Sequence, residues 1–118
     1  MDNTEIERRR FHRVSTSFDV EYSVDGQDSS GKKSLARNIG LGGIYFIAYE
    51  KLEIDSLLSL ILHLPDGKQP LLLQGRLIWG RKFSAQDSID RYDIGIEFIK
   101  PDSRIIERLF DYISKLSG

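Results

Sequence analysis

The stretch Phe18-Asp19-Val20-Glu21-Tyr22-Ser23-Val24 alternates apolar and polar side chains without a break. A period of two places all the apolar side chains on one face of an extended chain, so this stretch predicts a half-buried β-strand. In a later stretch, Leu71, Leu73, Leu77 and Trp79 are likewise expected to share one strand face. The full set of predicted strands covers about residues 18–24, 33–39, 43–49, 58–64, 71–79 and 92–98.

The spacing of the apolar residues changes after Pro101. Apolar residues then recur at the spacing of one helix face, namely Ile105, Ile106, Leu109, Phe110, Ile113 and Leu116. Asp102 or Ser103 is placed to cap the start of this helix. Six short antiparallel strands followed by one helix favour a sandwich or a small closed barrel, and closure would remove the exposed sheet edges.

Composition limits the class of protein. The chain has 118 residues, 40% of them hydrophobic and 30% charged, which fits one globular domain. The sequence contains no cysteine, which excludes disulfides and thiolate chemistry and fits the cytoplasm, where we expect the protein. No apolar run reaches the roughly 18 residues of a membrane span. A net charge of −1 argues against nonspecific nucleic-acid binding, which requires a basic domain.

Positive charge is concentrated near the N-terminus, where Arg8, Arg9, Arg10 and Arg13 fall within six residues. Guanidinium groups are planar donors that match phosphate oxygens and can also stack on a base. The segment is therefore either a solvated basic arm or a binding segment for a small ligand with two phosphates and aromatic rings. We predict a flexible arm over residues 1–13 and a β-domain over residues 14–118.

A glycine-rich connection, Asn38-Ile39-Gly40-Leu41-Gly42-Gly43, joins the second and third predicted strands. Its glycines allow positive φ and close approach of a ligand to the backbone. The Asn38 amide offers both a donor and an acceptor, suited to a base edge or to an arginine side chain. The alternative is an ordinary hairpin turn. A dinucleotide-binding loop is excluded because the glycine spacing is wrong and no helix follows.

Together these segments resemble the PilZ domain family. Arg9-Arg10-Phe11-His12-Arg13 matches its RxxxR motif, and Asn38 to Gly43 matches its [D/N]xSxxG motif, beginning 25 residues after Arg13. Leu77-Ile78-Trp79, Gly95-Ile96-Glu97-Phe98 and the closing helix extend the resemblance to nearly the whole chain. The resemblance implies a six-stranded antiparallel β-barrel with a flexible N-terminal arm and one C-terminal α-helix. It also implies a site for the bacterial second messenger cyclic di-GMP.

The resemblance assigns roles to the arginines by position. Arg9 and Arg13 would contact the phosphates and guanines of the ligand, and Arg8 and Arg10 would add phosphate or stacking contacts. An arginine directly before RxxxR, here Arg8, is common in members that look like binders of a stacked ligand dimer.

The second motif departs from the family pattern at one position. Asn38 would face a guanine edge, and Gly43 would permit close approach of the backbone. Gly40 stands where the motif has serine, so one ligand hydrogen bond, worth about 1 kcal/mol, is expected to be missing. Trp79 either packs in the core or at the rim of the barrel, or lies near the ligand.

The predicted function is that of a binding module, because no nucleophile–base pair, metal set or pair of catalytic carboxylates is apparent. We predict a cyclic di-GMP receptor without other cofactors that orders its N-terminal arm on ligand binding and signals to an unidentified downstream protein. The family resemblance connects such receptors with motility, biofilm or polysaccharide control.

Two alternatives stay open. One is a PilZ-fold adaptor that binds proteins without the nucleotide, which the missing serine at Gly40 favours. The other is a small oligonucleotide-binding barrel, which requires base-stacking aromatic side chains on one sheet face and a basic groove. The five tyrosines and six phenylalanines are scattered along the sequence, so this alternative is the weaker one.

Overall fold

The computed structural model describes residues 13–25, 31–84 and 89–117. These residues form a mainly β structure in which every strand pairing is antiparallel. The strands within them are β1 (Val14–Ser15), β2 (Asp19–Val24), β3 (Lys32–Ile39), β4 (Gly43–Ala48), β5 (Leu57–His63), β6 (Leu71–Ser84) and β7 (Asp90–Phe98). One helix, α1 (Ser103–Ser117), follows the strands, and no helix in the described ranges has both the length and the apolar character needed to span a membrane.

The sheet closes into a barrel at β3. Its strand order is β3-β2-β5-β6-β7-β4, and β4 pairs in turn with β3. The predicted six-stranded antiparallel barrel is therefore confirmed. The short β1 adds to the same edge of β3 as β2, with Val14 opposite Ile39 and Ser15 opposite Asn38. The sequence did not predict β1, because two residues are too few to show an alternation.

The interior of the barrel is filled by the inward side chains of all six strands. In β2 and β5 the alternation is as predicted, since Val20, Leu58, Leu60 and Leu62 are all fully buried. Burial of an aliphatic or aromatic side chain of this size contributes about 1.5–3 kcal/mol. The other large and fully buried side chains are Ile39, Phe46, Leu77, Ile94, Ile96 and Leu109.

The predicted orientation of Trp79 is wrong. Leu77 pairs with Ile96, whereas Trp79 pairs with Gly95, so two steps along β6 match one step along β7. The extra residue, Ile78, forms a β-bulge, and a bulge reverses the alternation of the residues that follow it. Trp79 therefore lies on the outer surface of the barrel, while Leu77 faces the core.

Helix α1 begins where predicted and packs against the barrel. The Ile105 N–H donates a hydrogen bond to Asp102 Oδ1 at 3.0 Å, so Asp102 is the N-cap. Leu109 and Tyr112 are buried against the core, and the Tyr112 ring meets Phe18 edge-on at 5.9 Å.

The buried face of α1 is narrower than its apolar stripe. Ile106, Phe110 and Leu116 were expected to share the buried face, but they are 40%, 57% and 47% exposed. The stripe predicted from spacing alone covers a wide arc, and the barrel end contacts only the part centred on Leu109 and Ile113. The remaining apolar side chains of the stripe lie at the surface.

A partly buried ion pair fixes α1 to the turn between β5 and β6. Arg108 donates hydrogen bonds to both carboxylate oxygens of Asp66, at 3.2 and 3.0 Å, and to the Gln69 carbonyl. Burial works to raise the pKa of Asp66, but hydrogen bonds from the Lys68 N–H and from Arg108 outweigh it and lower that pKa. The charged form of Asp66 is therefore the one that the fold stabilises.

Candidate functional site

A cavity of about 560 Å³ opens between the β3–β4 turn, the end of β7 and the start of α1. Arg13 and the glycines of the turn, Gly40, Gly42 and Gly43, contribute to its lining. The other lining side chains are Leu41, Ile78, Ile96, Glu97, Phe98, Pro101 and Ile106. The last arginine of the first motif and the glycines of the second motif thus lie at one mostly apolar cavity.

Strand β1 explains why the two motifs meet. Its residues Val14 and Ser15 pair with Ile39 and Asn38. If this antiparallel register is continued by one residue, Arg13 comes opposite Gly40. The pairing therefore brings the exposed Arg13 to the glycine turn although 25 residues separate it from Asn38.

The turn itself is tightly held by backbone hydrogen bonds. The Gly40 N–H donates to the Gly43 carbonyl at 2.9 Å, and the Phe98 N–H donates to the Gly42 carbonyl at 2.9 Å. The glycines of this turn do not use the positive φ that they allow, because Gly67 is the only glycine of the described ranges that has one. A Cβ at Gly43 would lie 2.3 Å from the Ile96 carbonyl oxygen, so glycine is required there by the approach of β7.

Asn38 has an unsatisfied hydrogen-bond acceptor. Its side chain is half-buried, and its Oδ1 is buried without accepting a hydrogen bond from any described residue. Leaving a buried polar atom unpaired costs about 1–3 kcal/mol. This position is therefore suited to receiving a donor, such as a guanidinium group or the N–H of a base.

Trp79 lies next to the cavity on the outer surface of the barrel. Asn38, Tyr45, Gly95 and Trp79 are paired in one row across β3, β4, β7 and β6. The Trp79 and Tyr45 rings lie 5.3 Å apart at a tilt of 32°. The Trp79 indole also covers Gly95, where its Nε1 would be 2.1 Å from an added Cβ. Trp79 does not line the cavity, whereas the adjacent Ile78 does.

Charged side chains surround this aromatic pair. Asp93 is buried, and Arg81 Nη2 lies 3.7 Å from its Oδ2. Burial and a hydrogen bond to Asp93 raise the pKa of Tyr45, while the positive charges of Arg37 and Arg81 oppose this change. Further along the same wall, Arg91 lies over the Tyr49 ring, 5.9 Å from its centroid.

The sequence did not predict this aromatic and basic surface, which we call the aromatic wall. It comprises Tyr45, Tyr49, Trp79, Arg37, Arg81 and Arg91. Its residues come from β3, β6, β7 and β4 with the residue that follows it, Tyr49. Two β-bulges, between Ala36 and Asn38 and between Leu77 and Trp79, set their register. No local pattern signals such an arrangement. Aromatic residues that are scattered along the sequence are thus gathered on one wall by the fold.

Three of the predicted site residues, Arg8, Arg9 and Arg10, lie outside the described residues. Within the described ranges, no group of three or more histidine, aspartate or glutamate side chains is placed to hold a metal ion. The predicted site residues that the structure describes separate into two neighbouring parts. Arg13, Gly40 and Gly43 belong to the cavity, and Asn38 and Trp79 belong to the row beside it.

The family model that matches this sequence is the PilZ domain, over residues 7–115. The chain belongs to the PilZ domain family. The region matched begins before the RxxxR motif and ends within α1, so it covers the arginine segment, the barrel and most of the helix. Comparison of the sequence with curated proteins gave no significant match.

This PilZ domain is similar in fold to several solved structures. The PilZ domain with c-di-GMP of YcgR from Escherichia coli superposes with a TM-score of 0.72 at 16% identity, over 93% of this chain and 92% of that one. The MrkH–c-di-GMP complex of K. pneumonia has a TM-score of 0.75 at 17% identity, over 92% of this chain and 52% of that one. The Bacillus subtilis inhibitor of motility, MotI/DgrA, has a TM-score of 0.71 at 20% identity, with coverages of 92% and 50%. The chain thus spans about half the length of MrkH and of MotI/DgrA.

Proposed function

We propose that this PilZ domain is a non-enzymatic receptor for cyclic di-GMP. The observation that carries the proposal is the convergence of Arg13 and the Gly40–Gly43 turn on one cavity, since each belongs to a different motif. Membership of the PilZ family supports it further, because the similar domains of YcgR and MrkH were solved with c-di-GMP.

The chemistry around the cavity suits a ligand with two phosphates and two guanines. The exposed Arg13 guanidinium binds a phosphate through paired donors. Asn38 Oδ1 accepts a hydrogen bond from a guanine N–H or from an arginine that contacts the ligand. Trp79 and Tyr45 provide an aromatic surface for a guanine ring. Gly40 and Gly43 form the turn beneath the ligand, and the remaining proposed contacts are Arg8, Arg9 and Arg10.

The proposed consequence of binding is ordering of the arginine segment. The two phosphates neutralise arginines 8–13 and hold that segment against the Gly40–Gly43 turn. Segment, ligand and barrel then form a surface that a downstream protein of motility, biofilm or polysaccharide control reads in the cytoplasm. Hydrogen exchange tests this step, since saturating ligand should slow the amides of residues 7–14. Equal exchange with and without ligand would refute the ordering step.

Calorimetric titration with cyclic di-GMP tests binding directly. Arg13→Ala should abolish measurable binding, while Arg104→Ala, which removes an exposed arginine that does not line the cavity, should bind like the wild type. Gly40→Ser restores the motif hydroxyl and should bind equally or up to about fivefold more tightly, the value of one net hydrogen bond. Absence of heat at millimolar cyclic di-GMP, or unchanged affinity in Arg13→Ala, contradicts the proposal.

One observation supports each of the two alternative functions, the protein-binding adaptor and the oligonucleotide-binding barrel. Gly40 offers no hydroxyl to a ligand, which favours an adaptor that binds a protein without the nucleotide. The aromatic wall, with Arg37, Arg81 and Arg91, has the side-chain types that stack on and neutralise single-stranded nucleic acid. A parallel titration with a single-stranded oligonucleotide separates these cases, because a cyclic di-GMP receptor binds the dinucleotide in preference to the oligonucleotide and an adaptor binds neither.

A further inference from the structure

An apolar groove runs from the cavity along the outer face of α1. Ile106 and Phe110 lie one helical turn apart and are 40% and 57% exposed. Ile106 lines the cavity of about 560 Å³ and also a second hollow of about 530 Å³, which continues along Glu107, Phe110 and Asp111. The two hollows together form what we call the α1 groove.

The polar side chains at the α1 groove are mainly acidic. Glu97 lines the cavity end, and Glu107 and Asp111 line the helix end; all three are exposed. The arginine of this part of the helix, Arg108, is engaged by Asp66 and lines neither hollow. The groove therefore matches a segment that combines apolar and basic side chains.

Such a segment is attached directly to the groove. Arg13, the first described residue, lines the cavity, so the twelve preceding residues start from its rim. Those residues include Ile6-Glu7-Arg8-Arg9-Arg10-Phe11-His12, in which three arginines separate two apolar side chains. An extended chain advances about 3.5 Å per residue, so Phe11 can lie up to about 7 Å from Arg13 and Ile6 up to about 25 Å. These distances reach the cavity and the outer end of the groove.

We propose that residues 6–12 bind the α1 groove when no ligand is present. Phe11 enters the cavity beside Ile78 and Ile106, Ile6 covers Phe110, and the three arginines lie against the acidic side chains of the rim. This contact does not depend on any nucleotide. Its effect on ligand binding does rest on the proposed function, because arginines held at the rim are withdrawn from cyclic di-GMP and the apparent affinity falls by the fraction of protein in which they are free.

Paramagnetic labelling of the full-length chain tests the contact without ligand. The protein has no cysteine, so a nitroxide on Asn3→Cys is a unique label. The methyl signals of Ile106 should lose more than half of their intensity. Those of the exposed Leu72, which lies six residues before Ile78 on β6, or about 20 Å along the strand, should keep theirs. Adding Phe11→Ser should restore the Ile106 signals. If Ile106 is broadened equally with and without Phe11→Ser, the segment does not bind the groove.

A ligand titration tests the competition. Phe110→Ser removes an exposed groove side chain and should raise the affinity for cyclic di-GMP by about 2- to 10-fold. Leu116→Ser, which changes an exposed leucine of the same helix outside both hollows, should leave the affinity unchanged. Equal affinity of Phe110→Ser and the wild type overturns the competition. If none of the three proteins binds cyclic di-GMP, the proposed function fails, and the nitroxide measurement alone decides whether the segment occupies the groove.

Discussion

The contact between Gly95 and the Trp79 indole gives a sharp test of how the outer wall is packed. A Cβ at Gly95 would lie 2.1 Å from Nε1, 2.4 Å from Cε2 and 2.8 Å from Cδ1 of that indole, whereas ordinary contacts begin at 3.4 Å. In Gly95→Ala the ring must therefore move by more than an ångström and lose its contact with Tyr45. Overpacking of this kind lowers the free energy of unfolding by about 1–3 kcal/mol. Alanine in place of glycine offsets about 0.4–1 kcal/mol of this, because it restricts the unfolded chain.

The net loss should be about 1–2 kcal/mol, which lowers the urea midpoint by about 1 M for a domain of this size. Trp79 is the only tryptophan, so its fluorescence reports both the unfolding transition and the position of the ring in the native state. We expect the native emission of Gly95→Ala to shift to longer wavelength. Gly80→Ala is the matched control, since a Cβ there meets only Ile94 Cγ2 at 3.7 Å and the Asp93 carbonyl oxygen at 3.9 Å. Identical emission and stability in the two variants would refute the packing described here.

Three other perturbations have defined outcomes. Gly43→Ala brings a Cβ to 2.3 Å from a backbone oxygen of β7, so it should lower the free energy of unfolding in urea by about 3 kcal/mol. A variant as stable as the wild type would contradict the tight β4–β7 approach. Asp66→Asn should lower the free energy of unfolding by about 1–3 kcal/mol at pH 7. Because the native pKa of Asp66 is lowered, the stabilisation from its charged form is present above about pH 4 and is lost in more acidic solution. A difference between Asp66→Asn and the wild type that does not change with pH would argue against the Arg108 pair. Burial and Glu50 raise the pKa of Tyr22 to about 12, so the stability that the protonated Tyr22 hydroxyl provides is full below pH 10 and is lost as the pH rises towards 12. The stability of Tyr22→Phe, followed by circular dichroism, should therefore depend less on pH in that range.

The strands and the helix could be predicted because each has a period that reflects burial. Phe18, Val20 and Tyr22 are buried as their alternation requires, and Asp102 caps α1 as its side chain predicts. The extent of β6 could not be predicted, because its last residues, Gly80–Ser84, pair with β7 but lack an apolar alternation. A strand whose side chains are not sorted between core and solvent leaves no periodic signal.

The site could be predicted only in part, because the sequence does not show the register in which neighbouring strands pair. The sequence pointed to Arg13 and to the glycine turn, and the structure brings both to one cavity. It could not indicate Tyr45 or Arg81, because their position beside Trp79 depends on a one-residue bulge at Ile78. Nor could it separate Ile106 and Phe110 from the buried residues of α1, since helical spacing indicates an apolar arc but not how much of that arc the barrel covers.

The β1–β3 pairing is only two residues long. Its register, and not the length of chain between the two motifs, decides which residue of the arginine segment faces the glycine turn. Inserting a single residue between Ser15 and Phe18 would leave the composition of both motifs intact. Unless residues 16–18 bulge outward to absorb it, the insertion shifts β1 by one position against β3, which turns Val14 out of the core and Arg13 to the opposite side of the chain. The number of residues between β1 and β2 is therefore as much a part of the proposed binding site as the charged and glycine residues that β1 and β3 bring together.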